Sequence, residues 1–221
     1  MCGRYAIVLD DAGALQRRFS LEELPDDPTP RFNVAPTQTL PVIVRNSPNR
    51  VEMMRWGLIP SWAKDAAIGG RMINARAETV AEKPAFKRSL RARRCLVPAS
   101  GFFEWKREGA AKTPHYIHLT NEPLFAFAGL YDTWRDPAGR EVRSYTILTT
   151  GPNDLMAPIH DRMPVILDRE DEDLWLDPDV VEPERLLPLL RPYPARRMAA
   201  YPVSRAVNSP LHDTPDVLER V

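Results

Sequence analysis

The sequence predicts an α+β protein with a mostly antiparallel, barrel-like β core and short peripheral helices, in a single domain over residues 1–221. Runs of β-branched and aromatic residues outnumber helical patterns and rarely alternate with them, which excludes a doubly wound parallel sheet. Proline accounts for 23 of the 221 residues. The prolines are dispersed, so they divide the chain into many short strands and helices joined by shaped loops.

Each predicted strand is a short β-branched or aromatic run bounded by turn residues. The predicted strands are residues 5–9, 39–45, 50–56, 94–98, 102–106, 115–119, 125–131, 145–150 and 164–167. The predicted helices are residues 11–19, 83–92, 154–157, 169–176 and 182–190. Polar and apolar residues alternate over 72–78, which indicates an extended segment with one polar face. The proline-rich stretch 24–30 is predicted to be an extended loop.

The charge of the chain is balanced overall but unevenly distributed. Thirty basic and thirty acidic residues give a net charge of zero, which argues against a protein that coats nucleic acid through bulk charge. Residues 71–94 nevertheless hold eight basic and two acidic residues, whereas residues 168–185 hold nine acidic and two basic ones. This polarity predicts a local anion site, and the alternative is a solvated helix face.

Several classes of protein are excluded by what the sequence lacks. The apolar run 5–9 is interrupted by Arg4 and Asp10, so it is not a secretion signal. No run of about 18 apolar residues is available to cross a membrane. Two cysteines make neither a disulfide framework nor a zinc site. We therefore expect a cytoplasmic, reduced protein that needs no metal or cofactor.

Cys2 is the residue with the most distinctive chemistry, because it becomes the N-terminus if Met1 is removed. Its α-amine would titrate near neutrality and its thiol would supply a few per cent of thiolate at pH 7. The amine can capture an aldehyde as a Schiff base, and the thiol can then close a five-membered thiazolidine ring with a large effective molarity. The alternative is that a cysteine follows Met1 by chance.

Two residues are candidates for proton transfer. Glu104 is a lone carboxylate between aromatic residues, where desolvation raises the pKa of a carboxyl group toward neutrality. His160 lies in a polar turn between two prolines, and histidine serves as an acid or base near pH 7. The alternatives are a Glu104 head group that reaches solvent or an arginine, and a structural histidine.

Three further segments suggest binding of an anionic partner. Asn74 and Arg76 lie on the polar face of the extended segment, and Arg162 presents a planar fork suited to phosphate. Trp56 and Trp62 flank a loop that contains Gly and Pro, and exposed aromatics near arginines hold single-stranded nucleic acid by stacking. The alternatives are an exposed strand face and a loop anchored by its tryptophans.

Taken in order, these segments closely resemble the SOS response-associated peptidase family, whose members shield abasic sites. The resemblance runs from Cys2 to about Asp213, and only Ser100 and Phe103 depart from the commoner pattern. The matching motifs are Cys2-Gly3-Arg4, Asn33-Val34-Ala35-Pro36-Thr37, Arg55-Trp56-Gly57-Leu58-Ile59-Pro60, Asn74-Ala75-Arg76-Ala77-Glu78-Thr79, Pro98-Ala99-Ser100-Gly101-Phe102-Phe103-Glu104-Trp105, His160-Asp161-Arg162-Met163-Pro164, and the closing Val207-Asn208 with Asp213.

The resemblance implies a function and a role for each site residue. It implies binding to single-stranded DNA and a covalent thiazolidine link between Cys2 and the aldehyde of a ring-opened abasic site. Asn74 would position the sugar, Glu104 would move protons, and His160 would be the acid–base partner near the sugar oxygen. The implied DNA-binding residues are Arg4, Asn33, Pro36, Trp62, Arg76 and Arg162.

The same resemblance implies a peptidase activity that releases a leading residue, a lyase-type activity, a monomer, and association with the nucleoid when DNA is bound. Two other functions remain open from the residues themselves. One is an N-terminal-nucleophile hydrolase acting on amides, which shares Cys2 but needs an oxyanion hole. The other is a non-catalytic module that binds single-stranded DNA, in which Cys2 is incidental.

Overall fold

A computed structural model describes residues 2–11, 13–23, 29–45, 48–109 and 111–221. The strands in these ranges are β1 (Tyr5–Ile7), β2 (Arg31–Val34), β3 (Thr39–Val44), β4 (Arg50–Trp56), β5 (Asn74–Arg76), β6 (Arg94–Ala99), β7 (Gly101–Glu108), β8 (Ala111–Leu119), β9 (Phe125–Arg135), β10 (Glu141–Thr150), β11 (Met163–Pro164) and β12 (Met198–Pro202). The α-helices are α1 (Ala14–Phe19), α2 (Lys87–Ala92), α3 (Arg169–Leu176) and α4 (Pro183–Leu186).

Five strands form a closed ring at the centre of the molecule, in the order β4, β3, β6, β9 and β10. Neighbouring strands are antiparallel except β10 and β4, whose parallel pairing closes the ring. Closure removes the free edges that an open sheet would expose. Buried side chains from all five strands share one apolar cluster, including Val42, Met54, Leu96, Phe127 and Ile147. This ring confirms the predicted barrel-like core.

A second, antiparallel sheet joins β12, β8, β7, β1 and β2 in that order. It connects to the ring directly, because Ser100 alone separates β6 from β7. The Ser100 hydroxyl accepts a hydrogen bond from the Val8 N–H at 2.9 Å and donates one to the Val8 carbonyl at 3.0 Å. The chain thereby enters β7 at a defined register, and β7 carries Glu104.

Most predicted strands are confirmed, but the structure adds two that the sequence analysis missed. The strand β2 lies between prolines, and β12 is rich in alanine and ends at Pro202, so neither resembles a typical strand sequence. The predicted strand 164–167 is reduced to β11 with an isolated bridge from Ile166 to Phe127. The parallel pairings of β10 with β4 and β5 were also not predicted.

The helix predictions were less accurate. The predicted helix 154–157 is wrong: the segment is a turn, in which Asn153 Oδ1 accepts the N–H of Met156 at 2.9 Å and Pro158 follows at once. The predicted helix 83–92 begins only at Lys87, after Pro84. The proline-rich loop 24–30 lies mostly outside the described residues. No helix in the described ranges is long and apolar enough to cross a bilayer.

Candidate active site and nucleic-acid interface

Glu104 and His160, the two predicted proton carriers, line one open cleft of about 420 Å³. Glu104 comes from β7, and His160 follows the turn at 154–159. The His160 N–H donates to the Met156 carbonyl at 2.8 Å, so the turn that replaces the predicted helix holds the histidine in place. The Nε2 atom of His160 lies 3.8 Å from Oε2 of Glu104.

Glu104 has the burial that its aromatic neighbours in the sequence predicted. The residue is only 2% exposed, and this desolvation raises its pKa, although the nearby His160 opposes the shift. A carboxyl group in this environment holds its proton at a higher pH than an exposed glutamate does. A glutamate with a raised pKa is suited to act as a general acid as well as a general base.

The ring nitrogens of His160 have different partners. Nδ1 accepts a hydrogen bond from the Arg162 N–H at 3.0 Å, which places the proton of the neutral ring on Nε2, the nitrogen that faces Glu104. The exposed carboxylate of Asp161 lies 3.0 Å from the same Nδ1.

Cys2 is completely buried, and its Sγ lies 4.0 Å from the Arg4 carbonyl oxygen, the acceptor of its weak S–H bond. Burial raises the pKa of the thiol far above its ordinary value, and the charge of Glu104 adds to the shift. Burial therefore disfavours the thiolate of Cys2 in the chain that still carries Met1. The thiolate fraction expected for Cys2 as a free N-terminus stays a prediction.

Asn74 lies on β5, opposite Ile147 of the parallel strand β10. Its Nδ2 donates to the Ile73 carbonyl at 3.0 Å. Its Oδ1 is buried and has no hydrogen-bond partner among the described residues. Because a buried acceptor without a partner is costly, this oxygen is suited to accept a hydrogen bond from a bound molecule.

Arg4 and Asn33 have structural partners. Arg4 Nη1 donates to Asn33 Oδ1 at 2.8 Å and to the Val207 carbonyl at 2.6 Å. Asn33 is fully buried, and its Nδ2 donates to the carbonyls of Val207, Ser209 and His212. The pair thereby fixes the chain on either side of Asn208, a residue of the cleft. Asn33 itself presents no surface to a ligand.

The other predicted DNA-binding residues differ in accessibility. Arg76 is exposed on β5. Trp62 is 59% exposed at the tip of the loop after β4. Pro36 is half-buried in the turn between β2 and β3. Arg162 is mostly buried, and its guanidinium is held by both carboxylate oxygens of Glu78 and by the Thr149 carbonyl.

Four residues that sequence reasoning did not assign to the site complete the lining of the cleft. Trp105 donates from Nε1 to Asn208 Oδ1 at 2.8 Å. Arg107 and Lys112 face each other across β7 and β8, and neither forms an ion pair within the described ranges. In the sequence, Arg107 and Lys112 could have been found as basic residues at the end of a hairpin whose first strand carries Glu104. Trp105 gives the cleft an aromatic surface, and Arg107 and Lys112 give it a cationic one.

The described residues contain no cluster of three or more His, Cys, Asp or Glu side chains placed to hold a metal ion. Within the same ranges, the charge of Glu104 helps to raise the pKa of the Cys2 thiol. Glu104 and His160 line the same cleft. Arg162 connects His160 to the Glu78 carboxylate and to the end of β10.

Comparisons with known proteins show the family of this chain. The sequence model of the family described as SOS response associated peptidase (SRAP) matches residues 1–210. The chain is 48% identical over 223 residues to the Bacillus subtilis protein named abasic site processing protein YoqW, covering 99% of each chain. It is 34% identical over 224 residues to abasic site processing protein HMCES of Xenopus tropicalis, covering 87% of this chain and 66% of that one.

A solved structure is also similar. The crystal structure of a protein from Bacteroides thetaiotaomicron, 32% identical in sequence, superposes with a TM-score of 0.88 over 98% of this chain and 99% of that chain. The family match therefore covers the ring, the second sheet and the cleft. This chain belongs to the SOS response-associated peptidase family.

Proposed function

We propose that this protein captures abasic sites in single-stranded DNA by a covalent link between Cys2 and the aldehyde of the ring-opened sugar. The observation that carries the proposal is the convergence of Glu104 and His160 in one cleft, next to the start of the chain. Cys2 lies just before β1, which pairs with β7, the strand that carries Glu104. The names of the relatives YoqW and HMCES, both abasic site processing proteins, support an abasic site as the substrate.

The proposed chemistry has two steps. Once Met1 is removed, the Cys2 amine adds to the aldehyde carbon, and loss of one water gives a Schiff base. The Cys2 sulfur then adds to the same carbon while its proton ends on the nitrogen, which closes the thiazolidine ring without a further leaving group. Ring closure is intramolecular and therefore gains a large effective molarity.

The proposed roles in proton transfer depend on the positions of Glu104 and His160. The neutral, buried thiol has to give up its proton as sulfur attacks, and Glu104 is the carboxylate whose charge acts on it. His160 directs Nε2 toward Glu104 and lines the same cleft. We assign proton exchange with the thiol and amine to Glu104, and proton exchange with the departing sugar oxygen to His160.

Binding of the strand is assigned to the cleft and its surroundings. Arg107 and Lys112 would hold phosphates, and Trp105 and Trp62 offer aromatic faces for bases. The buried Oδ1 of Asn74 would accept a hydrogen bond from the sugar or the N-terminal amine. A preference for single strands, a monomeric state and association with the nucleoid when DNA is bound belong to the same proposal.

Two further activities follow from the same groups. A Schiff base that does not close to the thiazolidine can lose the strand by β-elimination, which is the proposed lyase-type activity. Cleavage of the peptide bond before Cys2 would release Met1 and would account for the peptidase name of the family. That cleavage uses the same thiol and the same proton carriers.

The test is a cross-linking assay with the processed protein. Uracil-containing single-stranded DNA is treated with a glycosylase and incubated with the wild type, Cys2→Ala or Cys95→Ala. The wild type and Cys95→Ala, which changes the other buried cysteine, should give a denaturant-stable shifted band. Cys2→Ala should give none. A stable band from Cys2→Ala without a reducing agent would remove Cys2 from the mechanism.

The same assay separates the other functions that the sequence leaves open. Turnover of amide substrates without a shifted band would identify an N-terminal-nucleophile hydrolase. Salt-sensitive binding alone would identify a non-catalytic module. A cleavable N-terminal tag adds a sharp control, because blocking the amine as an amide should abolish the band and tag removal should restore it.

A further inference from the structure

Arg162 is already occupied by an anion that belongs to this chain. Its Nη1 and Nη2 donate to the two carboxylate oxygens of Glu78 at 2.6 and 2.9 Å. This is the paired geometry in which an arginine fork binds a phosphate group. A carboxylate held in this way occupies the two donors that a DNA phosphate would need.

The two partners of this ion pair differ in exposure. The Glu78 side chain is 52% exposed, whereas that of Arg162 is 15% exposed. The carboxylate is thus the more accessible member of the pair. Arg162 keeps the pKa of Glu78 below its usual range, with a smaller contribution from exposed Arg76, so the carboxylate is charged at neutral pH. A strand that approaches these arginines meets a negative charge.

Arg162 is also anchored independently of Glu78. Its Nη2 donates to the Thr149 carbonyl at 2.7 Å, and its backbone N–H donates to His160 Nδ1 at 3.0 Å. These bonds do not involve the carboxylate, so the guanidinium and the histidine can keep their positions when Glu78 moves away. The Glu78 carboxylate is on the exposed side of the pair, so another anion that offers two acceptor oxygens can reach the fork and replace it.

We propose that Glu78 is an internal competitor for DNA phosphate, which occupies the Arg162 fork in the free protein and is displaced when a strand binds. The proposal rests on the proposed function, because it requires single-stranded DNA as the ligand. Its consequence is selectivity: Glu78 weakens the hold on undamaged strands, while a strand that reacts with Cys2 is retained by the covalent bond.

The test compares Glu78→Gln with the wild type and with Glu82→Gln, which removes an exposed carboxylate four residues further on. The probe is an undamaged single-stranded oligonucleotide. Glu78→Gln should bind it about three- to tenfold more tightly, the range expected for removing one exposed competing charge. The magnitude of the log K against log salt slope should rise by about 0.7, one additional phosphate contact. Glu82→Gln should change neither quantity.

A double-mutant cycle assigns the effect to the pair. In an Arg162→Ala background, Glu78→Gln should give no gain beyond that of Glu82→Gln. Weaker binding by Glu78→Gln, with slower cross-linking, would overturn the proposal and make Glu78 a residue that positions Arg162. An equal gain with and without Arg162 would also overturn it, as a general charge effect. Failure of the proposed function would look different, because the wild type would then neither bind nor cross-link.

Discussion

At Glu104, the stability of the fold and the proposed activity have opposite requirements. Burying an ionised carboxyl group is unfavourable, which is why its pKa is raised. A raised folded-state pKa means that the contribution of this group to stability is fully present below the pKa of the unfolded chain. That contribution is lost as the pH rises through the folded-state pKa. Above that pH the folded protein carries the buried charge that the proposed reaction would use.

Glu104→Gln should therefore have opposite effects on the two properties. Cross-linking should slow by about 10²–10⁴-fold, the usual range for loss of a general acid or base. The melting temperature should exceed that of the wild type, with a difference that grows as the pH rises from 4 to 8. Melting curves across this range and single-turnover cross-linking measure the two effects. A variant that is less stable at every pH would make Glu104 a structural residue.

His160 is expected to act on the reaction and not on affinity, because its Nε2 faces Glu104 and the proposed function assigns it to proton transfer and not to a phosphate. His160→Gln should slow adduct formation or reversal by about 10²–10⁴-fold. The matched control is His118→Gln, since His118 lies on β8 against Tyr116, away from the cleft lining. Loss of DNA affinity equal to the loss of rate would show that His160 maintains the shape of the site.

The catalytic candidates could be proposed from the sequence because the residues next to them in the chain predict their local environments. Aromatic residues on either side of Glu104 predict burial, and two prolines around His160 predict a turn. The rest of the cleft lining was not predictable in this way. Asn208 reaches Trp105 only because Arg4 and Asn33 hold a segment more than 170 residues away in sequence.

At the scale of elements, the loop between β4 and β5 depends on close contact between two glycine backbones. Gly57 has a φ of +119°, and a Cβ at this position would lie 2.6 Å from the Gly69 carbonyl oxygen. A Cβ at Gly69 would lie equally close, 2.6 Å, to the Gly57 carbonyl oxygen. The contact closes a loop that carries Trp62 and is tied to Ser144 and Asp132 through the N–H groups of Ile59 and Ser61.

Gly57→Ala and Gly69→Ala should each lower the free energy of unfolding by about 1–3 kcal/mol, because backbone atoms have to move apart. Gly70→Ala is the matched control, since a Cβ there has nothing within 4 Å. The measurement is denaturant unfolding of all three variants, together with affinity for single-stranded DNA as a readout of the Trp62 loop. Equal stability of the Gly57 and Gly70 variants would contradict the prediction.

At the scale of the whole molecule, the sequence predicts the barrel-like class but not its closure. Closure depends on the parallel contact between β10 and β4, which are separated in sequence by the 84 residues 57–140. Alternation and turn signals are local and carry no information about such a pairing. The antiparallel neighbours, in contrast, include the hairpin of β7 and β8 that local patterns already indicate.

The charge pattern also has a different meaning in three dimensions. Arg94, one of the eight basic residues of 71–94, is buried and donates to the Trp175 carbonyl at the end of α3. In the acidic segment, Asp168 pairs with Arg197 and Glu172 pairs with Arg18. These contacts are internal to the fold, whereas six of the eight basic residues of 71–94 are exposed. The cations left for a ligand are those with exposed side chains near the cleft.

This charge distribution leads to a prediction for the salt dependence of DNA binding. Arg76, Arg107 and Lys112 are exposed, and Arg162 becomes available if Glu78 is displaced. Three to five phosphate contacts at roughly −0.7 each give a slope of log K against log salt of about −2 to −3.5 for an undamaged single strand. Such a modest slope suits a neutral protein in which the covalent bond, not charge, provides retention.

Replacing both Arg107 and Lys112 with alanine should reduce the magnitude of this slope by about 1.4 and weaken binding to every sequence alike, because phosphate contacts carry no base information. Arg185→Ala, which removes an exposed arginine from α4 within the acidic segment, should leave the slope unchanged. Fluorescence anisotropy at several salt concentrations measures both variants. A slope near zero for the wild type would show that the cleft does not bind phosphates, and the DNA-binding proposal would then depend on the reaction at Cys2 alone.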